Sequence, residues 1–258
     1  MSAPRVLVLR TAGVNCDFET EFAFERAGGQ VDRLHLNALT ESPQQLLGYQ
    51  ILAIPGGFSY GDDVAGGRVF AAELKRRLAD VLGSYLSEDR LVIGICNGFQ
   101  VLTNLGVLPG PYGADRVPTA ALVDNDSQRY EDRWVHLKVR TSKCVFLEED
   151  DQMFLPVAHG EGKLVLEDTA LKAVKDQGLI ALEYVSADGG RAGYPENPNG
   201  SIAGIAGLTD PTGRVLGLMP HPERFLLPTQ HPAWTRQDPL PEHGDGARIF
   251  QKAVRYFS

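Results

Sequence analysis

The chain has 258 residues, 43% of them hydrophobic and 22% charged, with a formal net charge of −8. That length buries a proper core, as one large domain or one domain with an elaboration. The acidic balance argues against nucleic acid or an anionic membrane as a general partner, though not against a small anion in a local pocket. Apolar runs are too short for a transmembrane helix. The N-terminal Val6-Leu7-Val8-Leu9 is too short for a signal-peptide core. Three cysteines without regular spacing make no disulfide framework, so a reducing cytoplasm is expected.

Residues 5–9 read as a buried first strand, 17–27 as a helix stopped by Gly28-Gly29, and 31–36 as a second strand. A third strand over 50–54 ends in Pro55-Gly56-Gly57, and a helix over 67–86 follows. A fourth strand over 91–95 runs into Cys96 and a helix to about 105. Strands alternating with helices predict a parallel sheet covered on both faces, with the loops after strands one, three and four along one ligand-binding edge. After Pro109 the pattern changes. Residues 117–123, 134–139, 144–147, 179–185, 201–208 and 214–219 read as strands without long helices between them, which predicts an added antiparallel layer. Residues 225–243 are rich in proline and read as a long irregular loop, functional or an interface, before a closing helix over 247–257.

The stretch Gly94-Ile95-Cys96-Asn97-Gly98 is a Gly-x-nucleophile-x-Gly pattern with cysteine as the nucleophile. A tight strand-to-helix turn would hold Cys96 above a helix N-terminus, a place that favours an anion. The plain alternative is a small buried core residue, against which the flanking glycines and the strand-to-helix context weigh. A cysteine nucleophile needs a base, and the base needs an orienting group. His35 and His136 sit in strand-like stretches and read as solvated or core residues, whereas His231 and His243 lie in the proline-rich loop. His221 stands in Met219-Pro220-His221-Pro222-Glu223, where extended geometry would put Glu223 beside the imidazole. The N–H groups of Gly57 and Asn97 are candidates for an oxyanion hole. Residues 158–163, at a strand end, and 197–201, a turn sequence, read as loops without an assigned role.

Taken together, these motifs resemble the class I (triad) glutamine amidotransferases over essentially the whole chain. More narrowly, residues 94–100, 158–162, 197–201 and 219–224, with 13–17 and 56–62, resemble the free-standing glutaminase subunits of phosphoribosylformylglycinamidine synthases. The resemblance implies a flavodoxin-like α/β three-layer sandwich forming a single amidotransferase domain over 1–258, with an extension at about 225–245. It implies Cys96 as nucleophile, His221 as general acid/base and Glu223 as orienting carboxylate, with Gly57 and Asn97 at the oxyanion hole. Gln100, His159 and Gly160 match positions at or near the glutamine pocket. It further implies glutamine as substrate and ammonia passed to a synthetase subunit that uses ATP and magnesium in purine synthesis, with a small accessory subunit between the two. No metal or cofactor is expected in this chain, and no Gly-x-x-x-x-Gly-Lys phosphate loop occurs in it. One departure is size: the chain exceeds the usual free-standing subunit, with the excess expected at 125–155 and 225–245.

Two other classes compete. Peptidase or glyoxalase-like cysteine hydrolases on a similar sheet carry histidine directly after the cysteine, where Asn97 stands here. A scaffold without activity would not need all three triad positions filled.

Overall fold

A computed structural model describes residues 3–113 and 117–258. The expected strand over 117–123 begins beside the undescribed residues and is observed only as β5 (Ala120–Val123).

β1 (Arg5–Arg10), β3 (Ile51–Ile54) and β4 (Leu91–Ile95) are short apolar runs, and every residue of β3 and β4 is buried. Runs apolar on both sides suit a strand covered on both faces. Helices supply that cover in two groups. α1 (Asp17–Arg26) packs with α6 (Ala247–Arg255), where Phe24 meets Phe250 edge-on at 4.9 Å. α3 (Arg68–Ser87) packs with α4 (Asn97–Asn104). Burying each large aliphatic side chain of β3 and β4 contributes roughly 1.5–3 kcal/mol.

With β2 (Gln30–His35), β6 (Glu131–Val139), β7 (Gln152–His159), β9 (Ile180–Val185), β10 (Ile205–Thr209) and β11 (Val215–Leu218), these strands form one nine-stranded sheet, ordered β2-β1-β3-β4-β11-β10-β9-β6-β7. Pairing is parallel from β2 to β11 and antiparallel from β11 to β7. The expected antiparallel part thus takes two forms. It continues the main sheet, and it adds a separate ribbon of β5 with β8 (Lys163–Leu166). Parallel register sets Gly217 opposite Gly94 and Leu218 opposite Ile95, so β4 and β11 end together at the same edge.

Four expectations are corrected. Residues 144–147 form a turn, not a strand, because Val145 N–H bonds to Gly213 and Leu147 N–H closes back on Cys144. β10 starts later than expected because Ile202–Gly204 is a 3₁₀ turn with Ala203 at φ 53°. β8 lies where no strand was expected, whereas β7 supplies the strand expected to end near 158–163. Two short helices, α2 (Leu36–Glu41) and α5 (Asp168–Asp176), also went unexpected. Residues 225–243 are irregular as expected, apart from two single 3₁₀ turns. Their ends are stapled: Gly244 N–H bonds to Leu226 and Gly246 N–H to Phe225. His231 anchors the loop among Trp134, Phe154 and Phe225, at ring separations of 5.4–5.9 Å. Among the described residues, no helix is long and apolar enough to cross a membrane.

Candidate active site

Cys96 sits between the end of β4 and the start of α4 with φ 51° and ψ −105°, a conformation that L side chains rarely adopt. Its N–H is held by the Leu218 carbonyl at 2.8 Å, which ties the elbow to the neighbouring strand. The tightness of the turn explains its second glycine. A Cβ on Gly98 would lie 1.9 Å from the Ile54 carbonyl oxygen. Gly56, at the end of β3, has the same kind of role inside the site. A Cβ there would lie 2.9 Å from His221 Cε1, 3.3 Å from Cys16 Sγ and 3.5 Å from Cys96 Cβ. Three functional side chains therefore close over one bare backbone.

His221 follows β11 just as Cys96 follows β4, and its N–H is fixed by the Pro156 carbonyl of β7 at 2.8 Å. The extended geometry expected for 221–223 is not found. Pro222–Arg224 is a 3₁₀ turn, with Pro222 at its first position, where a fixed φ and a missing N–H cost nothing. The expected contact is made across that turn: His221 Nδ1 lies 2.7 Å from Glu223 Oε1. Both side chains are essentially buried. Burial opposes the imidazolium, yet the Glu223 carboxylate and the Cys96 sulfur, with Cys16 beyond them, hold His221 well above the ordinary histidine range. Its Nε2 has no hydrogen-bond partner among the described residues.

Cys96, His221, Gln100, His159, Gly160 and Gly57 all line one cavity of about 320 Å³. Glu223 stands behind His221. The N–H groups of Gly57 and Asn97 make no hydrogen bond among the described residues. For Asn97 this is the ordinary state of a first helical residue, whose N–H has no partner within the helix.

The structure adds residues that the motifs left without a role. Cys16 Sγ accepts a hydrogen bond from Arg224 Nη2 at 3.2 Å. Donor atoms of Cys16, His221 and Glu223 lie within 4.8 Å of one another. Cys16 Sγ is held by Arg224 and His221 Nδ1 by Glu223 Oε1, while His221 Nε2 and Glu223 Oε2 have no hydrogen-bond partner among the described residues. His159 is buried, bonded through Nδ1 to Asn125 Oδ1 at 3.1 Å and facing Asn199 Nδ2 at 3.5 Å. Desolvation, then the nearby His221, pushes His159 down to about 4, so it is neutral near pH 7. Ser201 Oγ bonds to Asn199 and receives the Leu164 N–H. The loops 158–163 and 197–201 are thus two halves of one buried polar network behind the cavity wall. On the other side, Asn97 Nδ2 bonds to Asp62 Oδ1 and to Gln100 Oε1, while Gln100 Nε2 bonds to the Glu161 carbonyl. Phe58 and Tyr130, stacked with centroids 6.4 Å apart, stand half-exposed at the mouth. The remaining histidines stay outside: His35 caps α2 through Nδ1, and His136 packs on Phe154.

Comparison with known proteins places the chain in a family. The CobB/CobQ-like glutamine amidotransferase domain matches residues 3–257. A curated relative from Dehalococcoides mccartyi, phosphoribosylformylglycinamidine synthase subunit PurQ, is 45% identical over 99% of this chain and 98% of its own length. The chain belongs to the PurQ family. A PurQ subunit from Methanococcus maripaludis is 41% identical over 99% of this chain and 98% of that protein. Among solved structures, a chain of PurLQS from Thermotoga maritima superposes with a TM-score of 0.72 at 30% identity, over 99% of this chain and 100% of that one. A glutamine amidotransferase from the same organism, 16% identical with a TM-score of 0.51 over 92% of this chain and 82% of that one, shares the fold. These two PurQ relatives are matched over 98% of their own length and are thus close to this chain in size, while the sequence places its excess over a shorter subunit at 125–155 and 225–245. Asn125, which holds His159, lies in the first of these segments.

Proposed function

We propose that this chain, a glutaminase component of phosphoribosylformylglycinamidine synthase in purine biosynthesis, hydrolyses the side-chain amide of glutamine through Cys96, His221 and Glu223. The observation that carries this assignment is the His221–Glu223 pair, 2.7 Å apart and buried, in the cavity that Cys96 enters from a strained elbow. The Cys96 sulfur attacks the amide carbon, and the N–H groups of Gly57 and Asn97 receive the oxyanion, an effect worth about 3–4 kcal/mol per donor. His221, held cationic by Glu223, gives its proton to the leaving nitrogen, and ammonia departs from a glutamyl thioester. His221 then takes a proton from water, which attacks the thioester, releases glutamate and restores Cys96. Glu223 keeps the imidazole in one orientation and stabilises its cation. Gln100, His159 and Gly160 line the cavity that receives the substrate.

We assign residues 1–258 to one amidotransferase domain, a reading supported by a family match over 3–257 and a sheet whose strands come from both halves of the chain. The ammonia is passed to a synthetase subunit that holds ATP and magnesium, with a small accessory subunit completing the assembly. A chain of the PurLQS structure is the relative that supports this partnership. Three free cysteines, one of them the nucleophile, fit a reducing cytoplasm.

The test is glutamate release from glutamine by the reconstituted synthetase complex. Wild type turns over, and Cys96→Ala falls to background while still binding the synthetase. Undiminished turnover in Cys96→Ala would remove the proposal. Turnover by neither protein in a correctly assembled complex would move the weight to another cysteine hydrolase.

A further inference from the structure

We propose that Asp62 and Glu161 form the subsite that receives the α-ammonium group of the substrate amino acid, an inference that rests on the glutaminase reading above. Both side chains line the same cavity as Cys96. Each is anchored through one carboxylate oxygen. Asp62 Oδ1 takes the Asn97 Nδ2 donor at 2.9 Å and the Gly67 N–H at 3.3 Å, and Glu161 Oε2 takes the Gly66 N–H at 2.8 Å. Asp62 Oδ2 and Glu161 Oε1 make no hydrogen bond among the described residues, and no Lys, Arg or His lies in ion-pair contact with either carboxylate there. Among the described residues the one arginine lining the cavity, Arg224, is turned to Cys16.

Two unpaired carboxylates on one wall of a half-enclosed cavity are costly unless a cation arrives. Burial, and secondarily Glu161, raise Asp62 above the usual carboxylate range. A bound ammonium, with three donors, supplies the missing charge and the missing hydrogen bonds together. The placement along α4 agrees. Gln100, which binds the Glu161 backbone and shares Asn97 with Asp62, stands four residues beyond Cys96, about 6 Å along a helix axis. The ammonium nitrogen of glutamine is four bonds from its amide carbon, an extended span of about 5 Å. At the reacting end, the buried and unpartnered Nε2 of His221 marks where the amide sits. The same hydrogen bonds make Asn97, Gln100 and the loops at 62–67 and 161 one connected unit.

The test compares glutamine with glutaramate, which is glutamine lacking its amino group, in the reconstituted complex. Wild type is expected to prefer glutamine by at least about 100-fold in kcat/KM, because a site built around a charged group rejects the analogue that lacks it. In Asp62→Asn and Glu161→Gln, kcat/KM for glutamine should fall by about tenfold or more, chiefly through KM, with glutaramate nearly unchanged. The preference ratio therefore collapses. Equal losses on both substrates would mean that the carboxylates only brace the loop, and would overturn the proposal. So would a wild type that hydrolyses both equally well, an arm that needs no variant to fold. A wild-type complex that hydrolyses neither sinks the glutaminase reading itself, and this inference with it.

Discussion

His221 is held in its charged form by groups that are themselves buried, so the smallest change to its partner is felt directly. Glu223→Gln keeps the shape and removes the charge. It also lets the amide present a donor to Nδ1, where an acceptor now fixes the ring. The expected result is a kcat loss of about 100-fold or more with little change in KM, read in steady-state glutaminase assays of the complex. His159 behaves in the opposite way. Its folded value, about 4, lies below the ordinary 6.5, so the unfolded chain binds the extra proton first as pH falls. Stability is therefore lost as pH drops from about 6.5 toward 4, by roughly 3 kcal/mol at the lower end from this residue. In His159→Gln that portion of the pH dependence should vanish. Urea unfolding of both proteins at pH 7 and pH 4.5 measures the difference, and parallel slopes would show that the buried imidazole is not its source.

At the level of elements, the strand-to-helix elbow is a tight joint between β3, β4 and α4. Gly98→Ala drives a Cβ into the Ile54 carbonyl, and the backbone of β3 or α4 must give way. The expected cost is about 1–3 kcal/mol or more, with glutaminase activity lost beyond what stability explains. Gly83→Ala is the control. It lies inside α3 with its nearest new neighbour, Tyr112 Cε1, at 3.8 Å, and should stabilise by about 0.5–1 kcal/mol in the same unfolding assay. The elbow was legible in the sequence because everything that makes it is local: an apolar run, two glycines and a cysteine. Only the end of β7 was legible, because Pro156 sits in its middle, and proline argues against a strand. The structure tolerates it because β7 is the last strand of the sheet, with an open side. There the Pro156 carbonyl is free to hold the N–H of His221. The 144–147 segment misled in the other direction, since its buried Cys144 and Phe146 pack from a turn as well as from a strand.

Across the whole molecule, the site is assembled from segments that only the sheet brings together. The Cys, His and Glu positions were readable because each carries its own local motif. The Asp62–Asn97–Gln100–Glu161 lattice and the His159–Asn125–Asn199 network were not, because their members come from distant stretches and no spacing links them. Cys16 was visible as a residue but not as a neighbour of His221, since that contact depends on β1 and β11 sharing one edge. The parallel pairing of β4 with β11 has a consequence in time as well as in space. A ribosome delivers Cys96 long before His221. Until residue 218 has been made, the N–H of Cys96 lacks the Leu218 carbonyl that secures the turn, and until residue 221 its thiol lacks the base proposed for it. A message broken before the codon for residue 221 yields a product that carries Cys96 without the histidine and carboxylate proposed to work with it.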